Sequence, residues 1–224
     1  MKQIKSIMLI ALLTLVGRAS ADNLTIGKVA IKAGGTKQIA IELKNTDKQY
    51  EAFQFDLVLP SGISIAKDKK GNLEATLNTK RKVDHSLTVK LQEDNSYRFL
   101  SYSLDDKAFK GTRGALVYVT LKAKKGLSVG KKNIKIKNQV MSDITGEVIK
   151  WNDATFRIEV VDYIDGDANG DGTVDTNDIV DIANHTMGKP TSTGTFNEMA
   201  ADINEDGIVN IADIVKIANI IMEK

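Results

Sequence analysis

The chain has 224 residues, no cysteine, and 31 Lys and Arg against 29 Asp and Glu. That length allows one or two domains, and the absence of cysteine excludes disulfides, thiolate zinc sites and a lipid on an N-terminal Cys. The charge is segregated: residues 22–163 carry 25 basic and 17 acidic side chains, net +8, whereas residues 164–224 carry 3 and 12, net −9. The lysines are spread along strand patterns and not gathered on a helix, which reads as solvated faces and not as nucleic-acid binding.

Residues 1–21 read as an export signal. Lys2 and Lys5 precede an apolar run of 11 residues, and Ala19-Ser20-Ala21 offers small residues before a cut ahead of Asp22. The run is too short to span a bilayer, so no membrane span is expected after cleavage. From 22 to 160 the pattern is strands. Ile39, Ile41 and Leu43 alternate with polar neighbours, as do Phe53, Phe55, Leu57 and Leu59 before the Pro60-Ser61-Gly62 turn. Further alternating runs cover 83–91, 96–103, 115–123, 133–137, 147–149 and 156–161. Many short antiparallel strands in about 140 residues predict a two-sheet sandwich.

Residues 161–166 form a short junction. Beyond it one pattern occurs twice, at an offset of 35 residues: D-A-N-G-D-G-T-V-D-T-N-D at 167–178 and D-I-N-E-D-G-I-V-N-I-A-D at 202–213. A helical stretch follows each, and 13 of 23 positions are identical between 167–189 and 202–224, which marks a duplication. Between the copies, F-N-E-M-A-A suggests a short helix. A 12-residue loop that holds Ca²⁺ supplies oxygens from positions 1, 3, 5, 7, 9 and 12 and turns at a glycine in position 6. The first copy gives Asp167, Asn169, Asp171, the Thr173 carbonyl, Asp175 and Asp178; the second gives Asp202, Asn204, Asp206, the Ile208 carbonyl, Asn210 and Asp213. Gly172 and Gly207 hold position 6, and apolar Val174 and Val209 hold position 8, as paired loops need. Two calcium ions are expected. Position 12 is Asp where an EF-hand has Glu, and no amphipathic helix precedes the first loop, so each unit is loop then helix.

The duplicated D-x-N-x-D-G-x-V-x-x-x-D with its I-V-x-I-A helix closely resembles type I dockerin modules. The resemblance implies a cohesin-type partner bound in trans, outside the cell, in an assembly related to polysaccharide breakdown. It also implies recognition through loop positions 10 and 11, here Thr176-Asn177 and Ile211-Ala212. The second helix is apolar nearly all round, and Ile220 stands where the first copy has His185, so Ile220 joins the expected partner face. The strand region resembles cohesins, through T-K-Q-I-A-I-E-L-K-N, Y-E-A-F-Q-F-D-L-V-L-P-S-G-I and G-A-L-V-Y-V-T-L-K-A, a fold shared with some carbohydrate-binding modules.

Catalytic signatures are absent: there is no G-x-S-x-G, H-E-x-x-H or Gly-rich phosphate loop. His85 and His185 read as surface or half-exposed side chains, and Trp151 as core or edge packing. The expected organisation is multidomain: a signal at 1–21, an all-β jelly-roll-like, cohesin-like sandwich at 22–160, and a small all-α dockerin of two EF-hand-like units at 161–224. The expected function is a secreted or cell-surface, non-catalytic, calcium-binding adaptor. The alternative is a carbohydrate-binding or glycan-hydrolysing component, with a polysaccharide as a further partner.

Overall fold

A computed structural model describes residues 22–223. The signal expected at 1–21 lies outside the described residues.

Among the described residues twelve strands come first: β1 (Asn23–Ile26), β2 (Val29–Lys32), β3 (Thr36–Lys44), β4 (Tyr50–Val58), β5 (Ile63–Ile65), β6 (Ala75–Leu77), β7 (Ser86–Leu91), β8 (Tyr97–Tyr102), β9 (Ala115–Ala123), β10 (Gly130–Asp143), β11 (Val148–Trp151) and β12 (Ala154–Val161). Three helices follow: α1 (Thr176–Thr186), α2 (Glu198–Ala201) and α3 (Ile211–Met222). One sheet has the order β1-β3-β9-β5 with β6 also paired to β9; the other, of seven strands, runs β2-β12-β10-β4-β8-β7 with β11 also paired to β10.

Alternation builds the sandwich. Phe53, Phe55 and Leu57 of β4, Phe99 of β8 and Ile134 and Ile136 of β10 are fully buried, and they meet Ile41, Leu43, Val117, Val119 and Leu121 from the opposite sheet in one apolar cluster. The Phe55 and Phe99 rings stack at 4.8 Å. A second apolar cluster, centred on Ala168, Val174, Ile182, Ala201 and Ile217, belongs to the helical part and shares no residue with the first.

Two buried polar groups fasten the sandwich. The Arg81 guanidinium donates to the carbonyls of Leu43, Lys110, Gly111 and Gly114 and to Asn45 Oδ1, at 2.6–3.1 Å. It thereby ties the loop between β8 and β9 to the end of β3 without any acidic partner in that set. The Asp22 carboxylate accepts from the Asp47 and Lys48 amides and the Tyr50 hydroxyl, at 3.0–3.1 Å.

Four strands escape the sequence pattern: β1, β2, β5 and β6 have three or four residues each, too few to display a period. β10 extends well beyond the expected 133–137, because a register shift between Lys137 and Val140 interrupts its alternation. The expected strand at 83–91 begins only at Ser86, and His85 before it is a correction: it is buried, not surface-exposed. Its ring stacks on Phe109 at 3.8 Å. Its Nδ1 accepts from the Val83 amide at 3.2 Å, and burial lowers its pKa despite the Asp84 carboxylate 3.9 Å away.

Candidate calcium loops and docking face

Each duplicated loop wraps its own acidic side chains with backbone amides. Asp167 Oδ1 accepts from Gly170 and Asp171, and its Oδ2 from Gly172, at 2.8–3.1 Å. Asp202 repeats this with Asp206 and Gly207 at 3.1 and 2.9 Å. Asn169 and Asn204 each accept from the amide two residues on, at 2.9 and 2.8 Å. Gly172 and Gly207 adopt φ of +91° and +86°, a region L side chains rarely enter, which explains glycine at the sharp turn in both copies.

The helix starts are equally matched. Asp175 caps α1 and Asn210 caps α3, each in a reciprocal box with the Asp three residues later. The Asp178 carboxylate accepts from the Asn169 and Asp175 amides at 3.2 and 2.8 Å. Asp213 does the same from Asn204 and Asn210 at 3.2 and 2.9 Å. Both position-12 carboxylates are fully buried, so they bridge the start of the loop to the start of its helix. Burial raises the Asp178 pKa against the amide bonds that lower it, whereas the Thr173 hydroxyl lowers that of Asp171.

Among the described residues no three carboxylate or imidazole side chains converge on one point, because the loop oxygens are turned onto their own amides. The donor chemistry nonetheless fits a hard cation. Each loop offers only oxygens from carboxylates, amides and one carbonyl, with four carboxylates in the first loop and three in the second.

The two units share one apolar centre. Val174 and Val209, the position-8 residues, both belong to it, with Ile182 from α1 and Ile214, Ile217 and Ile221 from α3. Gly166, just before the first loop, is wedged against it: a Cβ there would lie 3.0 Å from Val174 Cγ1 and 3.5 Å from Ile217 Cγ1. Its amide donates to the Ala200 carbonyl at 2.8 Å, linking the junction to α2.

What remains outside is an apolar stripe. Ile208, Ile211, Val215 and Met222 are 65, 69, 55 and 76% exposed, and the last three follow helical spacing along α3. Thr176, Asn177 and Ala212 are exposed too. Ile220 is placed differently from expectation: it is half-buried and packs against the apolar centre. Sequence reasoning missed Ile208 and Val215 as the fully displayed members. On the first copy the matching positions are Thr173, Thr176, Val180 and Met187; all four are exposed, and only Val180 and Met187 are apolar. His185 is exposed and stacks on Phe196 at 4.0 Å.

The sandwich has a cleft of about 510 Å³ on the seven-stranded sheet, lined by Gln54, Arg98, Val140, Lys150 and Trp151 among others. Trp151 is half-buried and meets Tyr50 edge-on at 5.4 Å. Arg98 forks onto Asp56 at 2.7 and 2.8 Å and holds that carboxyl below its usual range.

Residues 165–222 match the family described as dockerin type I domain. No curated protein matches the chain. The strand region has the cohesin fold. It is similar to the cohesin module of a Clostridium perfringens family 33 glycoside hydrolase, at 14% identity and TM-score 0.51 over 63% of this chain and 98% of that one. A type I cohesin from Pseudobacteroides cellulosolvens gives 15% identity and TM-score 0.52, over 63 and 93%. A chain of a type I cohesin–dockerin complex from Clostridium thermocellum gives 14% and 0.52, over 63 and 100%.

Proposed function

We propose that a C-terminal dockerin module and a cohesin-like sandwich make this chain an exported, non-catalytic adaptor, docking through the module onto a cohesin-type domain of a partner. The family match at 165–222 carries the reading, and the cohesin–dockerin complex among the similar structures supports the partner class. The division proposed is a signal at 1–21 cut ahead of Asp22, a sandwich at 22–160 and a module at 161–224. Such modules suit an extracellular or cell-surface assembly, here one related to polysaccharide breakdown.

Two calcium ions are assigned to the loops. Asp167, Asn169, Asp171, Thr173, Asp175 and Asp178 would hold one, and Asp202, Asn204, Asp206, Ile208, Asn210 and Asp213 the other. The bound cations supply the positive charge that lets seven loop carboxylates sit close together. The chain's own residues then set the docking face: Ile211 and Ala212, with Ile208 and Val215 beside them, form the more apolar copy, and Thr176 and Asn177 the more polar one. Ile220 supports this face from beneath.

The Trp151 cleft supports a second reading, in which the sandwich binds a glycan; a glycan array on residues 22–160 tests it. For the main reading, the chain is used to capture cohesin-type domains from secreted proteins, with Ca²⁺ and with EGTA. Capture is expected only with Ca²⁺, and Ile211→Asp with Val215→Asp should remove it while calcium uptake is retained. Capture that persists in EGTA or in the double variant overturns the assignment.

A further inference from the structure

We propose that the outer face of the seven-stranded sheet receives the acidic module of a second copy of this chain, so that copies associate head to tail. The proposal rests on the docking reading above and names its partner.

The outer face follows from the buried one. Ile134, Ile136, Ile158 and Val160 point into the core, so Lys131, Lys135 and Lys137 of β10 and Arg157 of β12 point outward. Glu159 lies opposite Lys131 in the register, and Asp56 is already neutralised by Arg98, so this region of the face keeps a positive excess. Toward the other edge the face becomes apolar. Leu100 and Tyr102 of β8 are 39 and 37% exposed, and the register sets Leu100 beside Gln54 of β4, which in turn lies beside Val140 of β10. The cleft opens at that point. From β12 to β7 the face is five strands, about 19 Å between the outer two, plus its side chains; this approaches the roughly 800 Å² per partner that a specific interface covers.

The module has the complementary arrangement. It carries net −9 against +8 for residues 22–163, and −5 with two Ca²⁺ bound; exposed Glu205, Asp206 and Glu223 lie beside Ile208 and Met222, against one exposed cation, Lys216, beside Val215. An apolar stripe edged with acids fits an apolar strip edged with lysines.

The junction favours a contact in trans. Asp165 pairs with Lys32 of β2 at 2.7 Å, and β2 is the edge strand on the far side of β12 from β8. The module therefore leaves the sandwich at the edge opposite Leu100 and Tyr102. Three strand spacings, about 14 Å, separate β12 from β8, and the Asp165–Lys32 pair holds the start of the module on the β2 side. A contact between two different surfaces does not close on itself in a pair, so it yields open chains.

The test is sedimentation velocity of the full chain in Ca²⁺ over a range of protein and salt concentrations. One variant breaks the sheet face (Leu100→Asp, Lys135→Glu, Lys137→Glu) and another the stripe (Ile211→Asp, Val215→Asp). The wild type should grow with concentration and dissociate as salt rises. Each variant alone should associate at least about tenfold more weakly. An equimolar mixture of the two should form pairs and nothing larger, since one intact stripe then meets one intact face. A wild type that stays monomeric, a face variant that assembles as the wild type does, or a mixture that stays monomeric overturns the proposal. If the monomeric wild type still captures a cohesin-type domain with Ca²⁺, the docking reading stands and only the self-partner is lost; if it captures none, that reading falls as well. Failure of self-association combined with face-dependent binding of polyuronate would assign the face to an anionic polysaccharide instead.

Discussion

Replacing Gly166 with alanine measures how tightly the junction is built into the module. Two separate costs arise. Gly166 sits at φ +93°, where an L side chain costs about 1–2 kcal/mol. The new methyl would also meet Val174 Cγ1 at 3.0 Å, with Ile217 and Ile203 at 3.5 and 3.6 Å, and overpacking of such a site costs a further 1–3 kcal/mol or so. The sum, about 2–5 kcal/mol, is a large part of what a module of some 60 residues possesses, roughly 3–9 kcal/mol. Gly188 is the control: φ is +67° and a Cβ there meets nothing within 4 Å, so only the backbone cost applies. Scanning calorimetry of the full chain in saturating Ca²⁺ should show the module transition fall by at least about 8 °C for Gly166→Ala. Gly188→Ala should lower it by about half as much or less, and the sandwich transition should not move in either variant. Equal shifts for the two glycines would refute the packing argument, and a fall in the sandwich transition would refute the separation of the two cores.

The first loop should bind Ca²⁺ more tightly than the second, since it has four carboxylates to three; Asp167→Ala should therefore weaken uptake in calorimetric titration more than Asp202→Ala, and EGTA should melt the module while leaving the sandwich transition in place. His85 should make the sandwich acid-sensitive: its folded pKa is lowered by burial, so the unfolded chain takes up a proton below about pH 6.5 before the folded one does. The stability present above that pH is then lost as pH falls through the folded value, and urea melts between pH 7 and 5 should show this slope shrink in His85→Phe, which keeps the stack on Phe109. Arg81→Leu should destabilise the sandwich by about 3–5 kcal/mol in urea, because the carbonyls of Leu43, Lys110, Gly111 and Gly114 lose their donor at once; Arg81→Lys should recover only part, having no fork.

The loops were legible in the sequence because oxygen-bearing side chains at fixed positions are a local requirement, and the duplication states it twice. The long strands were legible for a similar reason: β3, β4, β8 and β9 have six to nine residues each, enough for several alternations. His85 was not. Its neighbours Asp84 and Ser86 are polar, and the ring that covers it comes from Phe109, 24 residues later. Ile220 escaped for a related reason. An all-apolar helix does not reveal which side faces its neighbour, and only the packing of α1 beside α3 decides that Val215 is displayed while Ile220 is half-covered.

The strand that leads into the module also determines how a load would travel. β12 is flanked on both sides, antiparallel to β10 over seven register pairs and parallel to β2 over four. Tension applied through the module would enter at Val161, where β12 ends, and its component along the strand would act on β12. Because β12 is not an edge strand, an axial pull would not strip it from a free edge one hydrogen bond at a time. It has to slide β12 lengthwise between two neighbours, so that both ladders resist together, with Ile158 and Val160 dragged through the core. The sandwich is thus joined to its tether at a point suited to carry sustained pull, while the extension available before the fold is loaded is limited to the few residues between Val161 and Gly166.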